Sequence, residues 1–336
     1  MNISLIIVIS LLVILGLLYV ILNILYRHSE SYKNRNVTKR RFFDGVPNNL
    51  KVVNFGSNYM MYAFDNYREL NISGFNFSMP AQSLEIDDAL LHQYSSHFSK
   101  ECIVIFGVAA CVPFYGYSYC NDPEKYYDII KSSFLPSWKL KSTLKAFFPL
   151  RLKQWRLVKG LIYKEGPITE ISAFTKQIED VASCKKAMNN YAMGWQNMFH
   201  FKSLKQTDFD KDQLESLNKN TIVLKRMFSF CKEKGFIPVV LIPPFGKELN
   251  QYYSEDFISA SLKKCLKQAG QDVPVFDYRT HSSFQEHPNL FFDGAFSLNK
   301  RGSLKMMKLF FEELKNNNII KSYQDLYKSL NPQKLS

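Results

Sequence analysis

The sequence predicts an α/β fold: a three-layer sandwich with a mainly parallel sheet, preceded by one N-terminal transmembrane helix. Three observations carry this expectation. Short runs of consecutive apolar residues, closed by Gly or Pro, read as strands buried on both faces, as in a parallel sheet. Longer stretches between them repeat apolar residues at helical spacing. Ahead of both, residues 5–25 form an uncharged run of 21 residues.

That run (LIIVISLLVILGLLYVILNIL) has only Ser10 and Asn23 as clearly polar side chains. At 1.5 Å per residue it reaches about 30 Å, the hydrocarbon thickness of a bilayer. Its start, MNIS, has no Lys or Arg, and Tyr26-Arg27-His28 offers no small-x-small exit. A cleaved signal peptide needs both, so the run predicts an uncleaved anchor. Residues 26–48 follow as a basic tether, and residues 49–318 as the α/β domain, with a tail over 319–336.

Four strands are expected, at residues 51–55 (KVVNF), 102–108 (CIVIFGV), 237–242 (IPVVLI) and 273–277 (VPVFD). Helices are expected between and after them, over 212–234, 254–270 and 300–316, where apolar residues recur at i, i+3, i+4 and i+7. Gly235 and Gly270 close the first two. In such sheets ligands bind beyond the carboxyl ends of the strands. That directs attention to Gly56-Ser57-Asn58, Pro243-Pro244 and the segment from Asp293 onward.

The chain holds 43 Lys and Arg against 30 Asp and Glu, a net charge of +13, with 15% aromatic and 22% charged residues. Such aromatic content excludes a disordered chain. The excess charge is confined to two places. Residues 27–41 carry six Lys/Arg and one Glu, and residues 131–164 carry nine Lys/Arg and no acid. The second stretch interleaves its cations with Phe134, Trp138, Phe147, Phe148, Trp155 and Tyr163. It lies in an insert of about residues 121–200 and fits a lid or surface helix, an anionic membrane surface, or a glycan. Beside a membrane anchor, nucleic acid is excluded as the expected partner.

Six cysteines (Cys102, Cys111, Cys120, Cys184, Cys231, Cys265) form no CxxC pair, so no zinc site is expected and buried free thiols are. No nucleotide motif, and hence no cofactor, is predicted.

Three segments in order carry a family resemblance: VVNFGSNYMMYAFD (52–65), NFSMPAQSLEIDDALLHQY (76–94) and FFDGAFSLNKRGSLKMM (291–307). Their order resembles the SGNH/GDSL hydrolase superfamily. The nearest likeness is to its membrane-anchored bacterial branch, with the D-alanine-transfer proteins of teichoic acid and related acyltransferases of cell-surface glycans. The resemblance implies a Ser nucleophile after the first strand, a His base oriented by Asp, and an oxyanion hole. The family's first motif, Gly-x-Ser, reads Gly56-Ser57-Asn58, which puts Asn58 at the nucleophile position and leaves Ser57 as the alternative. Asp293 would be the orienting acid. In the last motif, Asp-x-x-His-Leu-Asn-x-x-Gly, Ser297 stands before Leu298-Asn299, with one residue extra after Asp293, and Gly302 completes it. Gly56, Ala81 and Asn299 would serve the oxyanion and substrate.

Asn is not a nucleophile and a Ser hydroxyl is not a base near neutral pH. The resemblance therefore implies acyl modification or assembly of a cell-surface glycan, with esterase chemistry impaired or lost. Two alternatives stand beside it. One is an active esterase or acyltransferase using Ser57 with a relocated histidine, His281 or His287. The other is a non-catalytic binding or scaffold protein at the membrane, whose partner is a glycan or an acyl donor. The resemblance implies a domain outside the plasma membrane, whereas the basic flank after the anchor argues for the cytoplasmic side.

Overall fold

The computed structural model describes residues 3–119, 123–163, 181–293, 296–322 and 326. Helices are α1 (Ile3–His28), α2 (Glu30–Arg35), α3 (Arg40–Phe43), α4 (Asn58–Ala63), α5 (Leu84–Tyr94), α6 (Leu140–Phe147), α7 (Val181–Met198), α8 (Lys211–Glu233), α9 (Lys264–Ala269) and α10 (Lys300–Asn316), besides shorter turns. Strands are β1 (Leu50–Phe55), β2 (Gly74–Asn76), β3 (Phe98–Gly107), β4 (Ile237–Ile242) and β5 (Val275–Asp277). The chain divides into two compact units: Met1–Gly45 with Asp122–Ile171, and Val46–Asn121 with Ser172–Ser336.

In the first unit, α1 is long and apolar enough to cross a membrane. Residues 26–48, expected as a tether, hold two short helices, α2 and α3. Ser29 starts α2 by accepting from the Tyr32 N–H at 3.2 Å. The basic stretch, expected within the α/β domain, belongs here and packs on α1 and α2. Asn23, a polar interruption of the apolar run, accepts from the Leu150 N–H at 2.8 Å and donates to the Tyr19 carbonyl at 2.9 Å. Phe148 stacks on Tyr19 with ring centroids 5.7 Å apart, and the Arg27 guanidinium lies 4.4 Å from the Phe147 ring centre. Lys39 Nζ sits 2.9 Å from Asp128 Oδ2, and the Tyr32 phenol donates to the same oxygen at 2.8 Å. The Asp128 side chain is fully buried, so these donors offset its desolvation.

In the second unit, five parallel strands stand in the order β2-β1-β3-β4-β5. The four expected strands are all present, within a few residues. β2 was not expected, because three residues carry no readable period. Residues 103–106 of β3 and 239–242 of β4 are all buried; successive side chains point to opposite faces, so both faces of the sheet centre are covered. α8 packs on α5 and α9, and α4 on α10. α8 begins with a capping box: the Asp210 side chain accepts from the Gln213 N–H, and the Gln213 side chain from the Asp210 N–H. The helix expected over 254–270 contains a π turn, Ser259–Lys263, ahead of α9.

Buried polar residues fix β1 against the second motif segment. Asn54 donates to Asn76 Oδ1 at 2.8 Å and to Ser78 Oγ at 2.9 Å, while Tyr67 donates to Asn54 Oδ1 at 3.0 Å. Asn76 in turn donates to the Met61 carbonyl at 2.8 Å. The strand order reverses between β1 and β3, and the crevice beyond their carboxyl ends is where a sheet of this order holds ligands.

Candidate functional site

A cavity of about 390 Å³ opens at that place. Its walls come from the segments after three strands: Ser57-Asn58-Tyr59 after β1, Ala109 to Val112 after β3, and Phe245 after β4. Pro80-Ala81-Gln82 adds the second motif segment, and Phe296 the third. α7 supplies Asn190, Tyr191, Trp195 and Met198. Tyr191, Trp195 and Met198 are spaced i, i+4 and i+7, so they share a helix face. Three segments read as motifs from sequence therefore meet at one cavity.

The turn after β1 is held by close approach. Gly56 has φ +133°, and a Cβ there would lie 2.8 Å from Met60 Cγ. The Gly56 N–H donates to Asp87 Oδ1 at 3.2 Å, and Gln82 Nε2 donates to the same oxygen at 2.6 Å. Burial raises the Asp87 carboxyl to about 7, against the lowering effect of those two donors. Ser57 occupies the N-cap position of α4, but its hydroxyl donates instead to Asn58 Oδ1 at 3.0 Å. Ala81 adopts φ +50°, the left-handed region that favours glycine. Its carbonyl accepts from the Tyr115 phenol at 3.3 Å.

The third segment divides. Asp293 Oδ1 accepts from the N–H groups of Phe296 and Ser297 at 3.1 and 3.0 Å, and Asp293 Oδ2 accepts from the Tyr191 phenol at 3.2 Å. Between them, Gly294 and Ala295 lie outside the described residues. Among the described residues of this turn, Phe296, three residues after Asp293, lines the cavity; Ser297, expected there, is buried and is not part of the lining. The Phe296 ring meets Tyr191 edge-to-face at 4.6 Å and Trp195 at 5.5 Å. Asn299 is not at the cavity either. It caps α10, accepting from the Gly302 N–H at 3.1 Å and donating to the Asn289 carbonyl at 2.7 Å. A Cβ at Gly302 would collide with the Leu290 carbonyl oxygen. Leu298-Asn299-Lys300-Arg301-Gly302 thus serves to cap α10 and to let it approach the Leu290 backbone.

All six histidines lie among the described residues, and none lines the cavity. His287 is exposed, and His281 Nδ1 accepts from the Ser283 N–H at 3.2 Å, so neither takes the relocated position. Cys111 does line it, but burial pushes its thiol up to about 12, too high for a thiolate nucleophile. Cys102, Cys111, Cys231 and Cys265 are buried free thiols; Cys120 and the Cys184 side chain lie outside the described residues. Among the described residues no group of three or more His, Cys, Asp or Glu is placed to hold a metal ion.

The arrangement offers rings for stacking (Tyr115, Tyr191, Trp195, Phe296) and amides for hydrogen bonding (Asn58, Gln82, Asn190). Sequence reasoning missed Tyr191, Trp195 and Phe296. The i, i+4, i+7 spacing in α7 was the available signal, hidden by treating residues 121–200 as one insert. No family model matches the chain, and no curated protein matches it. What stands is the class: an α/β unit with a five-stranded parallel sheet and an apolar cavity at its switch point, in a chain with one apolar N-terminal helix.

Proposed function

We propose that this is a single-pass membrane protein whose α/β unit is a three-layer, SGNH-like domain that binds a glycan or acylated glycan of the cell surface without Ser–His–Asp ester chemistry. The observation that carries the reading is the cavity lining. Ser57, Asn58 and a phenyl ring, Phe296, line the cavity, and none of the chain's six histidines does. A ring without a lone pair in its plane cannot accept the Ser57 proton. The aromatic walls suit the apolar face of a sugar or an acyl chain, and the three amides suit its hydroxyl or carbonyl oxygens. The glycan assignment and the exoplasmic side rest on the family resemblance of the three segments.

A fluorophosphonate probe tests the chemistry: the wild-type chain stays unlabelled, and labelling removed by Ser57→Ala overturns the non-hydrolytic reading. Titration of acylated and deacylated cell-surface oligosaccharides against Trp195 fluorescence, in Trp138→Phe/Trp155→Phe protein, tests the binding. Saturable quenching lost in Tyr191→Ala is expected; no saturable change with either series overturns the glycan assignment.

A further inference from the structure

In the first unit, α6 is built inside out. Its polar residues face protein: Ser142 is buried with its Oγ 3.5 Å from Glu124 Oε1, and Lys145 pairs with the same oxygen. Its apolar residues face outward: Leu140, Leu144 and Phe147, at i, i+4 and i+7, are 59%, 48% and 45% exposed. A helix in water takes the opposite orientation. Trp138, just ahead, is 49% exposed on a backbone held from inside. The Tyr127 phenol donates to the Ser137 carbonyl at 2.8 Å and accepts from the Lys139 N–H at 3.0 Å. Outside α1, most of the exposed large apolar side chains among the described residues lie within residues 134–163, so the surplus belongs to this unit.

Three contacts seat the end of α6 on α1. The Arg27 guanidinium lies over the Phe147 ring, Phe148 stacks on Tyr19, and the Leu150 N–H donates to Asn23. Tyr19 is eight residues before Arg27, about 12 Å along a helix axis. The segment from Phe147 to Leu150 therefore follows α1 from its basic end back into its apolar run. Gly160 makes a second close approach: a Cβ there would lie 2.8 Å from Ser31 Cβ and 3.1 Å from the Tyr26 ring. The Ser31 hydroxyl donates to the Tyr163 carbonyl at 3.0 Å, which fixes Ile162 and Tyr163, both exposed, at the same end of α1.

We infer that the first unit is a partly immersed collar, in which Trp138, Leu140, Leu144, Phe147 and Ile162 sit at the boundary of headgroups and acyl chains in the bilayer that α1 crosses. Lipid is the occupant because the stripe is continuous with the α1 surface that the same lipid covers. Trp138 and Tyr163 are the residue types that favour this boundary, and Lys141, exposed beside Leu140, has the reach to extend its ammonium to the headgroups. Asn23 then stands inside the apolar run with its amide bonded to protein, as a polar group at that depth requires. The inference rests on α1 as a membrane helix, which is part of the reading above, and not on what the α/β cavity binds.

The test takes the full wild-type chain in phosphatidylcholine vesicles that include a lipid with a diazirine on its acyl chain, and maps the photolabelled peptides by mass spectrometry. Label is expected in peptides covering residues 3–28 and in those covering residues 134–147. Label in α1 without label in 134–147 overturns the inference and leaves the anchor standing; no label in α1 overturns both. Depth is read by quenching with brominated phosphatidylcholine in Trp155→Phe/Trp195→Phe protein, whose remaining tryptophan is Trp138. Trp138 emission is expected to be lost more to bromine near the ester than to bromine at mid-chain. Leu15→Trp, in a chain with its three tryptophans changed to Phe, should show the reverse order. Blue-shifted Trp138 emission that bromine does not quench means that protein, a second copy or another chain, covers the stripe, and overturns the inference. Unquenched emission with the spectrum of tryptophan in water overturns it equally.

Discussion

Tyr191 donates its phenol O–H to Asp293 Oδ2 at 3.2 Å, while Asp293 Oδ1 accepts from two backbone N–H groups of its own turn. A carboxylate in the position expected to orient a histidine is thus bonded to a tyrosine. Burial raises the Tyr191 phenol, and the adjoining Asp293 charge raises it further, so the tyrosine stays protonated and cannot replace the base. The contact locks α7 to the Asp293 turn and closes the aromatic side of the cavity.

A histidine built to face this cavity belongs at position 296 rather than 297, because Phe296 lines it and Ser297 does not. Asn58→Ser/Phe296→His is expected to label with a fluorophosphonate at least about tenfold above the wild type, the low end of what a positioned base contributes. Asn58→Ser/Ser297→His is expected to remain at background, because Ser297 is buried away from the cavity. Gel fluorescence of the labelled variants distinguishes them; labelling of the second pair alone would reverse the assignment.

Asp87 makes the stability of the cavity wall pH-dependent. Its folded carboxyl titrates near 7, above its ordinary value of 3.8, so the folded state holds a proton that the unfolded state releases. The contribution is full below pH 4, falls as pH rises from 4 through 7, and is lost above that. Asp87→Asn keeps an oxygen for Gly56 and Gln82 and cannot ionise. It is expected to flatten this slope and to stabilise the chain at pH 8 by roughly 1–4 kcal/mol. Denaturant melts of the full chain in detergent at pH 5 and pH 8 check the sign, and equal slopes in both proteins would remove Asp87 from the account.

Gly302 and Gly194 should respond oppositely to alanine. A methyl at Gly302 meets the Leu290 backbone, and that turn also accepts the Asn299 N–H at 2.9 Å, so it cannot yield cheaply. Gly302→Ala is expected to cost about 2–4 kcal/mol. At Gly194, within α7, nothing lies within 4 Å of the added carbon, and Gly194→Ala is expected to stabilise by up to about 1 kcal/mol. Thermal unfolding of both variants is the measurement.

Lys39→Met leaves the buried Asp128 carboxylate without its cation, with the Tyr32 phenol still donating to it. A cost of about 3–5 kcal/mol is expected. Lys39→Met/Asp128→Leu should recover most of it, because neither charge then needs solvation. Limited proteolysis after residue 41 reports the loss and the recovery, and equal protection of wild type and Lys39→Met would show that the pair contributes little.

Features written in one stretch of chain were legible in the sequence. The apolar helix, four of the five strands, the long helices and the turn after β1 each announce themselves through a run or a period, because burial of a local face determines them. The Leu298-Asn299-Gly302 pattern was legible for a related reason: it is a helix cap with a close approach, and both are made within a few residues. The rest was decided by contacts between distant segments. A one-residue difference after Asp293 left Ser297 as the expected cavity residue. Only the turn closed by the Asp293 carboxylate, which swings Phe296 to Tyr191 and Trp195, settles which side chain enters. Likewise the basic stretch carries its charge openly. Its attachment to α1 depends on an amide at Asn23 meeting the Leu150 N–H, 127 residues away, and no local pattern encodes such a meeting.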